Sequence, residues 1–186
     1  SNIISYVDAV QLKNEHMVKL PVIVYNRDSQ SEVLIDAIDL RNKLEEIASA
    51  EYAKTGKYIR PIALFQAQPK GKEDATTFEK LRDKLVDAGI PADQIAIRTA
   101  DVNELKNVEL MSPNCPIRYI ITVNALKEGW DCPFAYILAS LANKTSQVDV
   151  EQILGRILRL PHTSQHTQSA LNMSYVLTSS NDFNNT

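Results

Sequence analysis

The stretch Val150–Pro161, VEQILGRILRLP, sets Gln152, Gly155, Arg156 and Arg159 inside a run of Ile and Leu. At roughly 100° per residue, a helix brings Gln152, Arg156 and Arg159 within about 60° of one another. Val150, Ile153, Leu154, Ile157 and Leu158 take the other side. Gly155 lies at the edge of the polar face, where a missing side chain lets another surface come close. It costs a helix interior about 1 kcal/mol relative to Ala. A guanidinium is planar, always charged and binds phosphate oxygens two at a time, so this pair suits phosphate. A solvated face with two snorkelling arginines fits the same spacing.

Upstream stands ITVNALKEGWDCP, Ile121–Pro133. Gly129 allows close backbone approach, and the Asp131 carboxylate can accept from a hydroxyl. A turn glycine beside a packed Trp130 would look the same. Other candidates are weaker. His162 and His166 stand four apart, but no acidic or Cys partner is near, so a surface loop is expected and no metal. Cys132 has no His placed as a base. Asp36, Asp39, Glu45 and Glu46 read as a solvated helix face. Gly56-Lys57 and Gly71-Lys72 lack the upstream Gly and the following Ser or Thr of a phosphate-binding loop.

Alternating elements must position these residues. Strands are expected over Lys19–Asn26, Pro61–Gln68, Gln94–Ala100, Pro116–Val123, Ala135–Leu141 and Met173–Thr178. Helices are expected over Ser31–Lys57 (stopping at Gly56), Glu73–Gly89, Val102–Asn107 and Ser146–Leu160. In the first of these Val33, Ile35, Ala37, Ile38, Leu40, Leu44, Ile47 and Ala48 recur at helical spacing. The strands are apolar on both faces, which argues for a mainly parallel sheet with helices on both sides. Ligands of such sheets sit at the carboxyl ends of the strands, so the loops after Gln68, Ala100, Val123, Leu141 and Thr178 matter most.

The chain has 186 residues, 44% of them hydrophobic, which suits one α/β domain with a real core. Residues 1–18 read as a polar lead-in and 19–186 as the domain. The chain begins Ser1-Asn2-Ile3-Ile4 without Met, which reads as a piece of a longer protein with Ser1-Asn2 left from a tag. A net charge of −3 disfavours a strongly basic nucleic-acid-coating protein. No signal peptide or spanning apolar run is visible, and Cys115 and Cys132 make no disulfide framework. A cytoplasmic location is the simplest expectation.

Q-x-x-G-R-x-x-R resembles motif VI of superfamily 2 helicases, and G-x-D-x-P at Gly129–Pro133 resembles motif V, in the right order. RPIALFQAQP, Arg60–Pro69, is similar to motif IV. EGWD, GRILRLP and YVLTSSNDF are most similar to the Res (motor) subunit of type III restriction enzymes, and the lead-in resembles the segment joining its two motor domains. The resemblance implies the second RecA-like domain, a three-layer α/β/α sandwich, of an ATP-driven DNA helicase or translocase. It implies that Arg156 and Arg159 reach a γ-phosphate as arginine fingers, Arg159 foremost. It puts Gln152, Gly155, Gly129 and Asp131 around the nucleotide, with Asp131 on the ribose hydroxyl and Gln152 coupling ATP to DNA.

The same resemblance sets Thr122, Val123 and Asn124, with Phe65 and Gln66, against the DNA backbone. Many helicases carry Thr-Asp where this chain has Val123 and Asn124, so the phosphate contact is assigned to Thr122–Asn124 as a group. Mg²⁺ and the phosphate-binding loop belong to a first domain that this sequence lacks, so the fragment alone is expected to be inactive. No nuclease signature is visible. The implied partners are DNA, the first RecA-like domain and a modification methyltransferase subunit. The alternative is a non-catalytic RecA-like module that binds DNA or protein. A small self-contained α/β enzyme is disfavoured, because no nucleophile–base pair is present.

Overall fold

The computed structural model describes residues 5–13, 19–71, 76–123, 132–141 and 166–179. Among these, seven strands make one sheet: β1 (Ser5–Lys13), β2 (Lys19–Asn26), β3 (Ile62–Gln66), β4 (Ile95–Ile97), β5 (Tyr119–Thr122), β6 (Ala135–Ser140) and β7 (Ser174–Thr178). Their order is β1-β2-β7-β6-β3-β5-β4. Only β1 runs antiparallel; every other pairing is parallel. With the helices α1 (Gln30–Thr55) and α2 (Phe78–Asp87), this is the expected α/β, RecA-like arrangement around a mainly parallel sheet. The helix expected over Ser146–Leu160 lies outside the described residues. No described helix is long and apolar enough to cross a membrane.

The segment read as a lead-in supplies β1, paired with β2 from Ser5↔Asn26 to Lys13↔Lys19. An edge strand is held by its ladder to one neighbour, so it needs none of the apolar run that marked the inner strands.

Helix α1 begins where Ser29, in an extended conformation, accepts a hydrogen bond from the Glu32 amide. It stops at Gly56, whose φ of 73° only glycine adopts freely, with the Gly56 amide donating to the Tyr52 carbonyl. Its buried stripe is Val33, Leu34, Ala37, Arg41, Leu44, Ala48 and Glu51, spaced by threes and fours. Ile35, expected in that stripe, is instead 54% exposed. Helix α2 starts at Phe78, capped by Thr77, and buries Leu81 and Leu85. β2 to β3 and β3 to β4 step the same way across the sheet. Right-handed crossovers therefore put α1 and α2 on one face, where they share a cleft of about 330 Å³.

The short helix expected over Val102–Asn107 is a turn instead. Local side chains take over its backbone groups: Asn103 Oδ1 accepts from the Leu105 amide and Thr99 Oγ1 from the Val102 amide. Glu104 accepts from the Ile97 amide at the end of β4 and pairs with Arg82, while Asn107 turns the chain with φ of 63°.

Candidate functional site: the carboxyl edge of the sheet

Five parallel strands end on one polar row. Gln66 of β3 lies opposite both Thr122 of β5 and Ser140 of β6; Ser140 lies opposite Thr178 of β7, and Thr178 opposite Asn26 of β2. Each follows an apolar residue of its strand: Phe65, Ile121, Ala139, Leu177 and Tyr25. Arg41 of α1 stacks over the Tyr119 ring, 5.4 Å from its centroid, so Tyr119 faces α1. Strand alternation then turns Thr122 to the opposite face, and the register takes Gln66, Ser140 and Thr178 with it.

Thr122, Ser140 and Thr178 are fully buried, and Gln66 half-buried. The Thr122 hydroxyl has no hydrogen-bond partner among the described residues. A hydroxyl can donate once and accept twice, and leaving one buried and unpaired costs about 1–3 kcal/mol. Such a buried group calls for a partner beyond the described residues.

Neighbouring polar groups at this edge are already engaged. The Thr76 amide donates to Gln68 Oε1 at 2.7 Å, and the Thr76 hydroxyl donates to Gln30 Oε1 at 2.8 Å. Gln30 Nε2 in turn donates to the Leu141 carbonyl at 3.1 Å, tying the exits of β3 and β6 to the start of α1. At the exit of β2, buried Arg27 meets Asp36 at 2.5 Å. Both described helices begin at this edge, so their positive dipole ends lie there.

Of the residues the sequence assigns to DNA, Thr122 and Gln66 stand side by side in this row, and half-buried Val123 follows Thr122. Phe65 does not join them. Its side chain is fully buried on the α1 face, 6.2 Å from the Tyr119 ring, because strand alternation turns it away from Gln66. Asn124, Gly129, Asp131, Gln152, Gly155, Arg156 and Arg159 lie outside the described residues, as does His162.

Three readings of charged residues change. Asp36 is the partner of buried Arg27 rather than part of a solvated face. Glu45 accepts from Arg41 at 2.7 Å and from Arg118 at 2.8 Å. Burial pushes the Glu45 carboxyl up, but hydrogen bonds from Arg118 and Arg41 outweigh it and hold its pKa below the usual value. His166 is buried rather than on a surface loop, with Nδ1 3.7 Å from Glu51 Oε1. Glu51 was not singled out at all. The signal was its place in α1, three residues beyond Ala48 in the buried stripe; apolar periodicity alone passes over a charged member.

Among the described residues no group of three or more His, Cys, Asp or Glu is assembled for a metal. Neither a scan against protein-family models nor a search of curated proteins gives a match for this chain.

Proposed function

We propose that this chain is the second RecA-like motor domain of an ATP-dependent DNA helicase or translocase, of the kind found in the Res subunit of type III restriction enzymes. The observation that carries the reading is the pairing of Gln66 with Thr122. The first belongs to the stretch similar to motif IV and the second begins the stretch similar to motif V. They are adjacent, on one face, at the edge where parallel sheets hold ligands, and the Thr122 hydroxyl has no hydrogen-bond partner among the described residues.

In this reading Thr122, Gln66 and the peptide groups after them hold DNA phosphates without reading sequence. Gly129, Asp131, Gln152 and Gly155 would border ATP brought by the first domain, which also holds Mg²⁺. Arg156 and Arg159 would meet charge on the transferring phosphoryl group. Such a finger is worth roughly 10³–10⁵ in kcat in related NTPases. The test is Arg159→Ala in the full-length protein. DNA-stimulated ATPase should fall at least about a hundredfold, with DNA binding retained. Turnover unchanged within about twofold would remove the finger role and leave the non-catalytic binding module as the better reading.

A further inference from the structure

The short segment 166–172, just before β7, is held at the amino edge of the sheet by hydrogen bonds with α1, β6 and β7. The His166 amide donates to Asn172 Oδ1, and Asn172 Nδ2 donates back to the His166 carbonyl, both at 2.8 Å. Tyr175 and Tyr136 donate their hydroxyls, each at 2.9 Å, to the Ala170 and Leu171 carbonyls. From α1, Glu51 accepts the Thr167 amide on Oε1 at 2.7 Å and the Thr167 hydroxyl on Oε2. Glu51 is 0% exposed.

Both carboxylate oxygens are thus engaged by neutral donors, and the hydrogen bonds from Thr167 hold the Glu51 pKa below its usual value despite burial. A buried carboxylate kept in its charged form by hydrogen bonds is stabilised further by positive charge nearby. Lys54 acts on Glu51 from α1 but is itself exposed. Tyr136 and Tyr175, from β6 and β7, bring no charge: burial pushes both hydroxyls up, that of Tyr175 to about 12. Among the described residues, His166 Nδ1, at 3.7 Å from Glu51 Oε1, is the buried group placed to add positive charge.

We propose that Glu51 and His166 form a proton-dependent lock. Imidazolium neutralises the buried carboxylate and fixes the segment 166–172 against α1, and the lock loosens when His166 loses its proton. A histidine that gains such a partner has its folded-state pKa raised. Its contribution is complete below the ordinary value of about 6.5 and is lost as pH rises through the raised value. Burial of the imidazole works the other way. In this proposal the opposite charge within about 4 Å outweighs it, because neutral His166 would leave the buried Glu51 carboxylate with only exposed Lys54 as counter-charge.

NMR of this chain between about pH 5 and pH 9 tests the lock, following the His166 ring and the hydrogen-exchange protection of the Thr167 amide. The His166 midpoint should lie at least about one unit above 6.5, and Thr167 protection should fall about tenfold or more through that midpoint. Glu51→Gln keeps an acceptor for the Thr167 amide but removes the charge. It should return the His166 midpoint to the ordinary value or below and flatten the pH dependence. His166→Gln should give low, pH-independent protection. A wild-type midpoint at or below about 6.5, or protection that does not follow the His166 titration, would overturn the proposal. The wild-type titration decides even where a variant does not fold. No residue of the proposed nucleotide or DNA contacts takes part, so the lock and the motor reading fail separately.

Discussion

At the amino edge of the sheet, Arg41 and Arg60 are buried with their guanidinium groups held by protein partners. At the carboxyl edge, Thr122 is buried as deeply with its hydroxyl held by none of the described residues. Arg60 donates to the carbonyls of Ile117, Ser112 and Leu110 and to the Tyr58 hydroxyl, with its guanidinium within about 6 Å of the ring centroids of both Tyr58 and Phe134. Arg41 donates to Glu45, the Pro61 carbonyl, Asn42 and the Tyr119 hydroxyl. Polar groups whose capacity is filled from within the chain hold the fold. Polar groups with capacity left over, at the edge where loops leave parallel strands, are the ones available to a ligand.

The contrast can be broken first at Arg60. Arg60→Met keeps much of the volume but takes the donor from the Ile117 and Leu110 carbonyls, while the Ser112 carbonyl keeps the Cys115 amide, and urea unfolding should show a loss of about 2–5 kcal/mol. A loss below about 1 kcal/mol would mean that the amino edge is not held by this residue. Glu45→Gln should cost about 1 kcal/mol, discounted because its side chain is 31% exposed. Its pH dependence carries a sign. The folded-state pKa is lowered, so the contribution is present above the ordinary 4.5 and lost as pH falls through the lowered value. The variant's stability should therefore approach that of the wild type in acid. A gap that stays constant with pH would show that charge is not what Glu45 contributes.

The smallest expected effect on stability, at the other edge, is the sharpest. Thr122→Val removes, at nearly constant shape, a buried hydroxyl that none of the described residues pairs. Stability should stay level or rise by up to about 1 kcal/mol, while DNA-stimulated ATPase of the full-length protein falls. A destabilisation beyond about 1 kcal/mol would show the hydroxyl to be engaged within the fold, and the difference between the two edges would disappear.

The inner strands and both described helices were legible because each is written in one local code. β3, β5, β6 and β7 are short apolar runs, and α1 carries its own cap at Ser29 and stop at Gly56. The turn at Val102–Asn107 was not legible as a turn. Asn103, Thr99 and Glu104 divert the backbone through hydrogen bonds that periodicity does not register. At the candidate site, Thr122 and Gln66 were chosen by motif resemblance, and Phe65 came with them because a motif names neighbours without regard to which face each takes.

By itself the sequence determined the parallel α/β class, the carboxyl edge as the place to look, and the residue types able to meet phosphate. Those follow from hydrophobic period, capping residues and side-chain chemistry, all local properties. Only the tertiary structure decided which polar groups are satisfied. Register set Gln66 beside Thr122 from strands more than fifty residues apart in the chain. Packing of α1 brought Glu45 to Arg118, and Glu51 to His166 and Thr167. Whether a buried polar atom has a partner depends on what the fold brings within hydrogen-bond reach, and no local pattern along the chain encodes that distance.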